Sequence, residues 1–133
     1  MKLNTTSQYA IRIMTFIVNN DSNKLFNAKI ISEKLSIPYK YLTKIMTQLV
    51  DANIIVSIRG REGGYSIAKE ASQIKILDIL NAVKECLHSK NCLLGLGTCN
   101  ETKKCAMHDR WREPKISVLD MFINTTLADI AKV

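Results

Sequence analysis

Four cysteines and both histidines of the chain fall within a short stretch of its second half. Cys86, Cys92, Cys99 and Cys105 are separated by five, six and five residues, and His108 follows three places after the last. Thiolates and imidazoles hold zinc and iron, and thiols are also redox groups in their own right. Structural zinc sites usually draw on ligand pairs two to four residues apart. No such Cys-x-x-Cys pair occurs here, which lowers the zinc reading. Iron-sulfur clusters accept wider spacing, and Gly95 and Gly97 would let a backbone wrap around one. Cys105 and His108, at i and i+3, share one side of a helix start, so an imidazole can complete a site of three thiolates. Cys86 ends an amphipathic segment and is more often a buried small hydrophobe than a ligand. His88 reads as a loop or surface histidine. Metal binding, thiol redox sensing without a metal, and inert cysteines all stay open, because spacing names no metal.

A second group of residues is basic. Pro38-Tyr39-Lys40-Tyr41-Leu42-Thr43-Lys44 opens a segment in which Leu42, Ile45, Met46 and Leu49 make a buried helical stripe. With Leu42 inward, Tyr39, Lys40, Thr43 and Lys44 lie toward the exposed side, where amines reach phosphates or guanine edges. Tyr41 is a candidate phosphate donor. Further on, Arg59-Gly60-Arg61-Glu62-Gly63-Gly64 separates two short β-prone runs, Asn53 to Ile58 and Tyr65 to Ala68. The glycines would let this basic tip approach a duplex closely, with Arg59 or Arg61 entering the minor groove. The bland alternative is a solvated charged surface and an ordinary hairpin turn.

The elements that must position these groups follow from periodicity. Thr5 to Asn19 is predicted helical on Ala10, Ile13, Met14 and Ile17. Asn27 can cap a shorter helix with Ala28, Ile31 and Leu35 on one face. Ser36-Ile37-Pro38 breaks it before the Pro38 helix, and two helices so joined form a helix-turn-helix. The basic hairpin completes a winged helix within about the first 68 residues. A further helix is predicted from Ile74 to about Leu87, then a loop over 88–104. A long helix follows from about Cys105, carrying Trp111, Val118, Leu119 and Phe122, with Pro114 near its start or kinking it. Thr126-Leu127-Ala128-Asp129 resembles a capping box for a short last helix.

Composition agrees with this order. The chain of 133 residues is 47% hydrophobic and 23% charged, as expected for one globular domain. Its net charge of +7 and pI near 9.3 point to a polyanionic partner, nucleic acid first. Residues 1–65 hold nine basic against four acidic residues, whereas 66–133 hold ten against eight, so most of the excess lies on the candidate DNA-binding half. The longest apolar run, Ala10 to Val18, is broken by Arg12 and Thr15, so no membrane span is expected. The first residues lack a signal-peptide core, and a cytoplasmic location is expected, where cysteines serve as ligands or redox thiols.

These residues together resemble the IscR/NsrR superfamily of bacterial winged-helix transcriptional regulators, most nearly its IscR branch. The resemblance runs almost end to end. It rests on Tyr9-Ala10, on Ile37-Pro38-Tyr39-Lys40-Tyr41-Leu42, and above all on Val56-Ser57-Ile58-Arg59-Gly60-Arg61-Glu62-Gly63-Gly64-Tyr65. It continues through Cys105-Ala106-Met107-His108-Asp109-Arg110-Trp111 to Asn124-Thr125-Thr126-Leu127-Ala128-Asp129. The resemblance implies a homodimer, joined by the helix from about Cys105, that reads a pseudo-palindromic operator. It also implies a two-iron, two-sulfur (2Fe-2S) cluster on Cys92, Cys99, Cys105 and His108. NO-sensing relatives take an acidic ligand near the start of the first helix, where this chain has Gln8, a poor ligand. Three features depart from the pattern: six residues rather than five between Cys92 and Cys99, the additional Cys86 as an alternative fourth ligand, and Thr43 in place of an acidic residue that reads cytosine.

The sequence reading is therefore a mainly α protein with a small β-hairpin: a winged helix-turn-helix with a long C-terminal dimerisation helix. It divides into a DNA-binding unit over 1–73, a connecting helix and cysteine loop over 74–104, and a dimerisation helix with a short last helix over 105–133. The expected function is a DNA-binding regulator controlled by an iron-sulfur cluster that senses iron-sulfur, redox or nitric oxide status. DNA contacts are assigned to Tyr39, Lys40, Tyr41, Thr43, Lys44, Arg59, Gly60 and Arg61. The alternatives are a cluster-free thiol/disulfide switch on the same scaffold and, with less support from the basic wing, a small metal or electron carrier. No nucleophile-base pair, phosphate loop or paired carboxylate suggests an enzyme.

Overall fold

The structure is a computed structural model that describes residues 3–20, 24–85, 94, 102 and 104–131. Helix α1 spans Thr5–Asn19, with the bounds expected from its periodicity. Its stripe of Ala10, Ile13, Met14 and Ile17 is fully buried and meets every neighbouring layer: α2 (Ala28–Leu35), α3 (Tyr39–Asp51), α4 (Ile76–Ala82) and α6 (Leu127–Ala131). One continuous core results, to which Ile31, Leu42, Ile45, Met46, Leu49, Ile55, Ile79, Leu80 and Leu127 contribute. The short last helix thus belongs to the same core as the helix-turn-helix, although it lies beyond α5 (His108–Asn124) in the chain.

Local chemistry explains the starts of these helices. The Asn27 side chain accepts from the Ile30 N–H at 2.8 Å, satisfying an orphan donor of α2. At α6 the box closes in both directions. The Thr126 N–H donates to Asp129 Oδ2 at 2.9 Å, and the Asp129 N–H to Thr126 Oγ1 at 3.2 Å. The Lys75 N–H similarly donates to Asp78 Oδ2 at 2.9 Å before α4. The Ile76 N–H to Thr125 carbonyl bond (2.9 Å) and the Leu127 N–H to Ile74 carbonyl bond (2.7 Å) tie the starts of α4 and α6 together.

Strands β1 (Ile55–Ile58) and β2 (Gly64–Ile67) pair antiparallel, with Ile55 opposite Ile67 and Ile58 opposite Gly64. A residue before α2 extends this pairing: Phe26 and Tyr65 exchange backbone bonds of 3.1 and 2.8 Å. The wing is thereby fastened to the connection between α1 and α2.

Two expectations need correction. The helix predicted to run to Leu87 ends at Ala82, because Lys84 turns left-handed (φ 61°) and the Glu85 N–H bonds back to the Leu80 carbonyl at 2.9 Å. The long helix starts at His108 rather than Cys105, and Pro114 lies inside it as its seventh residue. Proline there removes one N–H from the ladder without ending the helix, which continues to Asn124. None of its residues is fully buried, and Ile116 and Met121 are each 52% exposed.

Because Leu127 is fully buried at the seam of α6 and α1, Leu127→Ala is expected to cost about 2–5 kcal/mol. Urea unfolding should show a lower midpoint with one transition and an unchanged slope; a separate early transition would mark α6 as an independent unit.

Candidate nucleic-acid interface and cysteine site

The turn that sets α3 is built from three residues. Ser36 adopts the left-handed conformation (φ 54°), the Ile37 N–H reaches back to the Ser32 carbonyl at 3.1 Å, and the Ser32 hydroxyl donates to the Ile37 carbonyl at 2.6 Å. Ile37 is buried, so the turn is pinned to the core, and Pro38 forms the N-cap of α3. Beyond it, Tyr39, Lys40 and Lys44 are exposed, Tyr39 at 55%. Thr43 is half-buried and its hydroxyl donates to the Lys40 carbonyl at 2.9 Å. Thr47, exposed three residues after Lys44 and missed by the sequence reading, extends the same face. The spacing 40, 44, 47 was the signal that would have found it.

Tyr41 is placed differently from the expectation of a free phosphate donor. It is half-buried against α1, its hydroxyl shares a hydrogen bond with Thr6 Oγ1, and its ring meets the Tyr9 ring edge-on at 5.5 Å. The Arg12 guanidinium lies 5.7 Å from the Tyr9 ring centre and donates to the Leu35 carbonyl at 3.0 Å. Tyr41 thus orients α3 on α1.

At the wing tip Arg59, Gly60, Arg61 and Glu62 are exposed, and the Gly63 N–H closes the turn on the Gly60 carbonyl at 3.0 Å. Gly60 holds φ 117°, a backbone that side chains rarely adopt, with open space around it. Gly63 and Gly64 have an intramolecular reason. A Cβ on Gly63 would lie 2.0 Å from the Ile58 carbonyl oxygen, and one on Gly64 would lie 2.8 Å from Phe26 backbone. The expected close approach to a duplex therefore concerns Gly60, while the other two glycines allow the hairpin and its Phe26 anchor to pack.

Of the cysteine-site residues, Cys105 and His108 are described, and Cys86, Cys92 and Cys99 lie outside the described residues. Cys105 and His108 are both half-buried and occupy one closed turn, in which the His108 N–H donates to the Cys105 carbonyl at 3.1 Å. The turn leads into α5, and the Trp111 N–H bonds the Met107 carbonyl at 2.8 Å. Lys104 and Asp109 form an exposed ion pair across it at 3.2 Å. Among the described residues no group of three His, Cys, Asp or Glu side chains is close enough to hold a metal ion. Gln8, at the position where an acidic ligand was considered, instead donates to the Leu3 carbonyl at 2.7 Å.

Residues 3–133 match the profile of Rrf2, described as an iron-dependent transcriptional regulator. The chain belongs to the Rrf2 family. It is similar to the HTH-type transcriptional regulator IscR of Vibrio campbellii, with 30% identity over 99% of this chain and 78% of the relative. The fold is that of CymR, the global cysteine regulator of B. subtilis. The TM-score is 0.82 at 23% identity, covering 99% of this chain and 97% of that one. The oxidized form of Staphylococcus aureus CymR is similar too, with TM-score 0.78 at 26% identity over 100% and 98% of the two chains. This Rrf2 member is a transcriptional regulator with a winged-helix fold and not an enzyme. No helix among its described residues is long and apolar enough to cross a membrane.

Gly63→Ala is expected to disrupt the β1–β2 pairing at a cost of about 1–3 kcal/mol, and Gly60→Ala to cost less. Amide exchange along 55–67 measures the difference, and equal effects of the two substitutions would remove the contact with the Ile58 carbonyl as the reason for Gly63.

Proposed function

We propose that this Rrf2 regulator is a homodimer whose operator binding is set by an iron-sulfur cluster held by Cys92, Cys99 and Cys105, with His108 or Cys86 as the fourth ligand. The observation that carries the reading is the closed turn joining Cys105 to His108 at the head of α5. The turn holds a cysteine and a histidine three residues apart at the head of α5, and that donor chemistry fits an iron-sulfur cluster. The family's description as iron-dependent supports it. A bound cluster supplies one-electron chemistry and exchangeable iron coordination.

The chain's own residues do the reading. Lys40 and Lys44, on one row of α3, meet phosphates or guanine edges, Tyr39 and Thr43 extend the contact, and Arg59 and Arg61 flank Gly60 in the minor groove. Tyr41 holds α3 against α1 so that this row keeps its direction. The exposed Ile116 and Met121 of α5 fit a second copy, which places two heads on a pseudo-palindrome. On this reading 1–73 binds DNA, 74–104 connects and senses, and 105–133 joins the copies.

A thiol switch without a cluster is the second reading, favoured by the likeness to a CymR in an oxidized form. Anaerobic purification separates the two. Broad visible absorption with near-equal iron and acid-labile sulfide is expected. A colourless chain that resists reconstitution and changes its DNA binding with peroxide and dithiol would replace the cluster with the thiol switch.

For the wing, Arg59→Ala is expected to weaken binding to a duplex selected in vitro by about tenfold at matched salt, and to lower the salt slope by about one. Unchanged affinity and slope would take Arg59 out of the interface.

A further inference from the structure

Three helices end by the same device. Ser36, Asn53 and Lys84 are left-handed, with φ 54°, 60° and 61°, and in each case the next residue's N–H reaches five residues back: Ile37 to Ser32, Ile54 to Leu49, Glu85 to Leu80. After α2 and α3 that next residue is a buried isoleucine that anchors the chain in the core. After α4 it is Glu85, the residue immediately before Cys86. Its anchor is polar: Glu85 Oε2 accepts the Asn4 N–H at 3.2 Å and the Ser7 hydroxyl.

This contact finishes the start of α1. Asn4 is the N-cap, its side chain accepting the Ser7 N–H at 2.8 Å, and Ser7 stands at the third helical position. In a capping box a carboxylate at that position reaches back to the N-cap N–H. Here Ser7 is too short to do so, and the carboxylate comes from residue 85. The charge also lies at the positive end of the helix dipole. Ser7 is fully buried, the only polar side chain so placed among the described residues. The neighbouring residue, Thr6, bonds the Tyr41 hydroxyl on α3. One turn of α1 is thus held on one side by the residue that leads into the cysteine segment and on the other by the recognition helix.

We infer that Glu85, Ser7, Thr6 and Tyr41 form a relay that sets the position of α3 according to the state of the segment beginning at Cys86. The inference rests on the function proposed above for that segment. An apolar anchor such as Ile37 or Ile54 holds over small displacements, whereas hydrogen bonds to a carboxylate are directional and weaken steeply when misaligned. Glu85 is therefore the anchor that yields when the segment after it is pulled, and the first turn of α1 carries the change to Tyr41. These are positioning residues; none needs to touch DNA or the cluster.

Two measurements on the full chain test the relay. The first is amide hydrogen exchange of wild type, Glu85→Ala, Glu85→Gln, Ser7→Ala and Thr6→Val, each checked for folding by circular dichroism. Glu85→Ala and Ser7→Ala should speed exchange in the first turns of α3 by about tenfold, the worth of one hydrogen bond to a charged group. Glu85→Gln, which keeps an acceptor, should restore part of the protection. Thr6→Val should loosen α3 while leaving 80–85 as in wild type. Changes confined to 4–9 and 80–85, with α3 untouched, would overturn the relay whether or not any cluster forms.

The second is affinity for a duplex selected in vitro by the wild-type chain, measured after anaerobic reconstitution with ferrous iron and sulfide and again after chelation, with iron and sulfide assayed on each sample. The ratio of the two affinities should fall toward one in Glu85→Ala and Ser7→Ala at wild-type iron content. A wild-type ratio in variants that load normally would also overturn the relay. A wild type that takes up no iron and sulfide counts against the cluster alone, and the exchange measurement still decides the relay.

Discussion

The buried stripe of α1 is the constraint on which the rest of the molecule depends. Four side chains with no exposure, Ala10, Ile13, Met14 and Ile17, line the helix that α2, α3, α4, α6 and strand β2 of the wing all pack against. Sharing one helix fixes the angles among the others. The α3 face that carries Lys40 and Lys44 points outward because Leu42, Ile45, Met46 and Leu49 are committed inward against the same core. The wing keeps its place through Phe26, whose ring also meets Phe16 of α1 edge-on at 5.4 Å.

A helix used in this way has little freedom along its length, and its ends become the informative parts. At the first turn, polar contacts replace apolar ones, and two distant segments compete for adjacent residues. Tyr41 of α3 and Glu85, just beyond α4, are therefore joined through side chains of adjacent residues, Thr6 and Ser7.

Much of this was legible in the chain because it is local. The Thr5–Asn19 helix, the Asn27 cap and the Thr126–Asp129 box depend on residues within a turn of one another, and periodicity or capping chemistry reads them directly. The wing was legible from its glycines and arginines, although the reason for Gly63 and Gly64 was not, since it lies in the Ile58 carbonyl and in Phe26. The stop after α4 was hidden because a lysine, not a glycine, takes the left-handed residue. The contacts of Tyr41 with Thr6 and Tyr9 were not legible, because both partners are more than thirty residues away. Glu85 carried no local signal at all: its partners are 78 and 81 residues distant. Of the cysteine site, the pattern was legible as chemistry, and the structure describes the Cys105–His108 corner of it.

The closure of the core by α6 has a consequence for synthesis. Leu127 leaves the ribosome more than a hundred residues after the α1 stripe it covers, so the apolar face of α1 stays incomplete until nearly the whole chain described here has been made. At translation rates of about 5–20 residues per second, several seconds pass in that state. Once β2 has been made, a nascent chain holds the whole helix-turn-helix and wing, yet lacks the helix α6 that closes the core beneath them. Chains interrupted before α6 keep that part of the apolar face of α1 uncovered.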